Sequence, residues 1–282
     1  MACSRQSAVP AWMLLVSLAL PCAASVAAEL TISAAPGALV RWSVPGTKRC
    51  GMHARSWESL QETCYYPIDL EQKPGRIRVS RQGQGRTEFA HISVESHDYG
   101  TEEVELSDIP QAHPSSEDLR RNAREGVLLN KAFGRKEGPA TFTLPLGPPA
   151  KPLPAGKSFG VKRIYNGKPA AQLHTGIDYP TPVGSPLLAV ADGTVVVAQD
   201  LFFPGNAVII DHGNGLFSMY FHLAEITVKT GQQLVKGERV GTVGSTGRST
   251  GPHLFFGVRW HNSRIDPQFL LKDPARIPAI GP

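Results

Sequence analysis

The 282-residue chain is 41% hydrophobic and 19% charged, with a formal net charge of +5, 28 glycines and 24 prolines. That balance excludes a disordered chain, which would lack the apolar residues needed to offset its ordering entropy. Dispersed Gly and Pro favour short strands and turns over helical bundles. No zinc-finger or RNA-binding motif accompanies the basic charge, so no nucleic-acid partner is expected; outside the cytoplasm such charge meets anionic wall polymers and membrane surfaces.

Residues 1–28 read as a signal peptide: Arg5, the apolar run "AWMLLVSLAL" (11–20), then the small residues "SVAA" (25–28). The run is too short to span a bilayer comfortably, and no other stretch is long and apolar enough. The expected location is therefore the periplasm or cell envelope, with no transmembrane segment after signal removal. Pro21 fits poorly with lipid attachment at Cys22. Cys50 and Cys64 remain after cleavage, close a 15-residue segment, and are expected to form one disulfide in an oxidising compartment.

The fold class expected is mostly β. Residues 29–112 carry short alternating runs, "LTISA", "ALVRWSV", "GRIRVSR", "FAHISVES" and "EEVELSDI", as in a small antiparallel β-domain of sandwich type. Residues 113–157 form a helix and a Pro-rich linker. The helix spans about 116–133, with a Ser-Ser-Glu-Asp cap and Leu119, Ala123, Val127, Leu128 and Ala132 near helical spacing. Strands return in a C-terminal β-domain, 158–275, before a tail, 276–282.

Nine histidines are present, five of them in the last 110 residues. His174 and Asp178 in "HTGIDYP" would lie about 13 Å apart on a straight strand, too far to share an ion. A bend at Gly176 would bring them together. His222 in "MYFHLAE" falls at a strand end, on the face of Tyr220. "DHGNG" (211–215) reads as a hairpin turn, so His212 is given no chemistry. "STGRSTGPHLFF" is a glycine-rich loop entering a strand; with no Lys-Ser/Thr and no helix behind it, close backbone packing fits better than phosphate binding.

Taken together, His174-x-x-x-Asp178, Tyr220-Phe-His222-Leu and Ser249-Thr-Gly-Pro-His253-Leu resemble the LytM/lysostaphin-type zinc endopeptidases of bacterial cell walls. The resemblance covers roughly 158–271 and includes "SFGVKRIYNGKP", "SPLLAVADGTVV" and "IDPQFLL". The helix and β-domain before it look like the upstream region of some members. It implies a LytM-type β-sheet domain, peptidoglycan as substrate, and one Zn2+ held by His174, Asp178 and the second His of an H-x-H pair. His222 and His253 are the implied catalytic acid/base pair.

The sequence departs from the pattern at the third ligand position, which falls on Phe255. Residues 253 and 255 share a strand face about 7 Å apart, and a phenyl ring has no lone pair. His261 would lie about 20 Å away, whereas His253 is near enough to substitute as third ligand. The expected function is a zinc-dependent endopeptidase acting on peptidoglycan peptide cross-links, with an altered metal site. The alternative is an inactive homologue that binds cell wall or activates another murein hydrolase or envelope protein.

Overall fold

A computed structural model describes residues 30–135 and 137–281; the expected signal segment lies outside them. Seven strands build the N-terminal domain: β1 (Leu30–Ala34), β2 (Leu39–Ser43), β3 (Thr47–Met52), β4 (Arg55–Glu58), β5 (Thr63–Pro67), β6 (Gly75–Gly83) and β7 (Arg86–Val94). They form a five-stranded sheet, β1-β7-β6-β3-β4, and a two-stranded sheet, β2-β5. Alternation sends Ile77, Val79, Ala90 and Ile92 inward from one sheet to meet Val40, Trp42 and Tyr66 from the other. The expected Cys50–Cys64 disulfide is present and ties β3 to β5 across the two layers. One pairing differs from the expected antiparallel pattern. β1 runs parallel to β7 because it fills that strand's free edge rather than a hairpin position.

"EEVELSDI" does not join this domain. Its ordered part, β8 (Thr101–Val104), pairs in parallel with β9 (Lys162–Tyr165), which also pairs β10 (Lys168–Pro169). Between β8 and β9 lies α1 (Ser116–Phe133), started by a capping box: Ser115 Oγ accepts from the Asp118 amide, and the Ser115 amide donates to Asp118. The apolar stripe expected on the helix is mostly outside. Leu119 and Val127 are 51% and 70% exposed. From the expected stripe Ala132 is buried, and with Leu129 and Phe133 it packs against Val196, Ile209, Phe217 and Met219. Among the described residues no helix is long and apolar enough to cross a membrane.

The C-terminal sheet contains β11 (Gly176–Tyr179), β12 (Pro186–Leu188), β13 (Gly193–Leu201), β14 (Gly205–Asp211), β15 (Leu216–Ile226), β16 (Gln233–Leu234), β17 (Arg239–Val243), β18 (Leu254–Trp260) and β19 (Ser263–Ile265). Its main path is β11-β18-β15-β14-β13-β16, all antiparallel; β17 bridges β12 and β15, and β19 folds back on β18. Ile177, Val208, Ile210, Tyr220, Leu254, Phe256, Val258 and Trp260 fill the core beneath it. A short α2 (Gln268–Leu271) follows. The chain then returns to the first domain, where the Arg41 and Ile280 amides donate to Pro278 and Arg41 carbonyls. Arg264 grips Asp69 through two side-chain hydrogen bonds of 2.6 and 3.1 Å, and Tyr65 stacks on Trp260, so the domains share packed contacts.

Candidate functional site

β11 and β18 are neighbours, with Gly176 opposite Gly257 and Asp178 opposite Phe255. The strand starts at Gly176, and His174 lies two residues before it. Its Nε2 comes to 3.4 Å from Asp178 Oδ1. Gly176 is required by space: a Cβ there would fall 2.6 Å from the Phe255 ring and 2.7 Å from the Phe256 carbonyl oxygen.

Three histidines surround the carboxylate, each oriented by a backbone carbonyl. Nδ1 of His174 lies 3.1 Å from the Ser158 oxygen, that of His222 2.8 Å from Thr246, and that of His253 2.9 Å from Gly251. Donation from Nδ1 fixes each ring and leaves Nε2 of His174 and of His253 turned toward Asp178 Oδ1. His253 Nε2 is 3.5 Å from Asp178 Oδ1, and the His222 and His253 rings are 5.0 Å apart. His222 does not share the face of Tyr220, whose hydroxyl is buried against Leu188 and Val190. A bulge in β15 against β14 and a left-handed φ of 65° turn His222 to the other side. His212 is structural, held between the Asp192 carbonyl and Ser218. His261 lies away from the groove, stacked on Trp57 and beside Glu137.

Phe255 projects into the same groove. Its ring stacks on Phe221 at 4.8 Å and meets His174 edge-on at 5.2 Å. A further residue is Arg163 on β9, whose Nη2 donates to Asp178 Oδ2 at 2.5 Å while its Nε donates to Glu102. Its sole sequence cue was the "GVKRIYNG" stretch, which carries no donor chemistry. Burial pushes the Asp178 carboxyl up, but the His174 and His253 rings and the Arg163 charge outweigh it and hold the group far below the usual carboxylate range. Burial and the neighbouring His253 lower His222 to about 4. His253 is opposed by burial, yet Asp178 raises it.

Whether these groups fit zinc is decided by the donors. His174 and His253 approach one oxygen of Asp178 while Arg163 occupies the other, and the Phe255 ring beside His174 supplies no donor atom. Among the described residues no three His, Cys, Asp or Glu side chains are grouped to hold a metal ion. As placed, the residues do not make the three-ligand centre of a catalytic zinc site.

The loop from Gly244 to His253 borders the groove. Gly247 packs backbone to backbone on Gly205, where a Cβ would fall 2.3 Å from the amide nitrogen. This is the close approach expected of a glycine-rich loop, and a strand, not a helix, follows it.

Comparison with known proteins places the groove. Residues 172–267 match the model of peptidase family M23. The chain is 39% identical over 99 residues to the peptidoglycan DD-endopeptidase ShyA of Vibrio cholerae, covering 35% of this chain and 23% of that protein. It is 34% identical over 151 residues to ShyB of the same organism, a peptidoglycan DD-endopeptidase, covering 54% and 33%. The chain thus spans a third or less of the length of these relatives. A crystal structure of a Pseudomonas aeruginosa protein assigned to peptidase M23 superposes with a TM-score of 0.65 at 27% identity, covering 84% of this chain and 94% of that one. The mostly β architecture, with N-terminal sheets, one helix and an antiparallel C-terminal sheet, is therefore shared. Residues 172–267 are thus similar to peptidase family M23, and the relatives that match there are peptidoglycan DD-endopeptidases.

Proposed function

We propose that this protein is a cell-envelope component whose M23 groove binds peptidoglycan stem peptides without cutting them by the family's zinc route. The observation that carries this reading is the pairing of Phe255 with Asp178 across β11 and β18, with Arg163 supplying the positive charge at the carboxylate. A groove that retains His174, His222 and His253 keeps a polar lining suited to a peptide. Such a protein works by anchoring to the wall or by presenting it to another murein hydrolase. Export through residues 1–28 into the periplasm belongs to the same reading, and the Cys50–Cys64 disulfide agrees with it.

One observation favours the endopeptidase reading. Asp178 Oδ1 and His253 Nε2 are buried, face each other and have no hydrogen-bond partner. In that reading His174, Asp178 and His253 are the ligands and His222 is the base.

Zinc content of the purified mature protein and muropeptide release from sacculi separate the two. The binding reading expects sacculus binding, little zinc and no release, with zinc uptake restored in Phe255→His. About one zinc per wild-type chain, with release abolished in His253→Ala, would establish the peptidase instead.

A further inference from the structure

The groove is bordered by a second arginine that the family motif does not explain. Arg248 lies on the loop whose Thr246 and Gly251 carbonyls orient His222 and His253. Its guanidinium sits 4.2 Å over the Tyr165 ring and 4.5 Å over the Phe203 ring. Its backbone amide donates to the Phe203 carbonyl at 2.9 Å, fixing the loop against that aromatic. Two ring faces hold the flat cation in one orientation with little freedom left to lose on binding.

What this cation lacks is an acid. Arg163 has Asp178 and Glu102, Arg121 has Asp200 and Glu125, and Arg264 has Asp69 and Glu71. Among the described residues, Arg248 has two rings and no carboxylate as partners. Tyr165 is the shared neighbour of Arg163 and Arg248, which places the unpaired cation on the Asp178 side of the groove. Burial and the Arg163 charge both lower the Arg248 pKa, so a bound anion would relieve an existing cost. The planar fork matches a carboxylate in two-point fashion.

We propose that Arg248 is a carboxylate-binding residue of the groove, receiving a free carboxylate of the stem peptide beside the His222–His253 pair and discriminating against amidated stems. The proposal rests on the reading that this groove takes peptidoglycan peptide, and it holds whether or not the peptide is cut.

Fluorescence polarisation with labelled diaminopimelate-containing tetrapeptides, as the free acid and with each carboxylate amidated in turn, tests it. Wild type is expected to bind the free acid about tenfold more tightly than one of the amides, the scale of one charge-assisted hydrogen-bonded contact. Arg248→Gln should lose about that factor for the free acid and bind acid and amide alike, while Arg248→Lys keeps part of the preference. The wild-type comparison needs no variant, so a folding defect cannot imitate the result. Equal wild-type affinity for the acid and all amides overturns the Arg248 assignment and leaves the groove reading standing. No binding of any tetrapeptide overturns both.

Discussion

Asp178 and Phe255 face each other across the β11–β18 ladder, and the phenyl ring lies over Gly176. The carboxylate thus has an aromatic neighbour on its own sheet and finds its cation on β9. The ring is packed on Phe221, Gly176 and Gly257, so it is a structural element of the groove floor. Phe255→Ala should destabilise the domain by about 3 kcal/mol through lost burial and a residual cavity. Urea unfolding checks this.

Gly176→Ala should cost about 1–3 kcal/mol by overpacking against the ring and the Phe256 carbonyl. Part of the cost should return in Gly176→Ala combined with Phe255→Leu, because one of the two clashes is with the ring. A double-mutant cycle measuring strict additivity would count against this account.

Arg163 and Asp178 form a mostly buried pair, with side chains 16% and 18% exposed. Arg163→Met leaves the carboxylate without its guanidinium and should cost about 3–5 kcal/mol. Arg163→Met with Asp178→Asn should recover most of that loss. Chemical denaturation of the single and double variants reads it directly.

His212 gives a pH dependence remote from the groove. Burial lowers it from 6.5 to about 4, and the Asp192 carbonyl only partly opposes the shift. Between those values the unfolded chain binds a proton that the folded one does not. Stability from this residue is therefore complete above pH 6.5 and is lost as pH falls towards 4, by roughly 3 kcal/mol. In His212→Gln the slope of stability against pH across that window should flatten, whatever happens to absolute stability.

Reduction of the Cys50–Cys64 bridge should lower N-terminal-domain stability by about 3 kcal/mol, the loop-entropy value for a 15-residue segment. Calorimetry of the Cys50→Ser, Cys64→Ser protein gives the comparison. An unchanged unfolding profile would mean that the inter-sheet core suffices alone.

What sequence could reveal follows the range of the interactions involved. The cap at Ser115 and the limits of α1 are local chemistry and were readable. β3, β4 and β5 were missed because each is short and interrupts its alternation with charge or proline, as in "TKRCGM" and "RSWE". β8 reads as part of the N-terminal sheet because its partner, about sixty residues later, leaves no local signal. Motif spacing brought His174, Asp178, His222 and His253 into one group, and the fold does so too. The face of His222 was misread because one left-handed residue breaks the two-residue period. Arg163 and Arg248 were not readable as site residues. An arginine near a motif is ordinary in a single sequence, and its counterpart, or lack of one, exists only in three dimensions.

The β8–β9 pairing bears on how this site should be handled. Arg163, which neutralises Asp178, lies before residue 172, and Glu102, which steadies that arginine, lies on β8. The stretch that carries the family signature therefore lacks the guanidinium that acts on Asp178 beside His174 and His253. Excised at the limits of its own motif, the domain would keep its histidines and leave Asp178 Oδ2 without its guanidinium partner. A truncated fragment would report the chemistry of a different, more acidic groove from the one the intact chain presents.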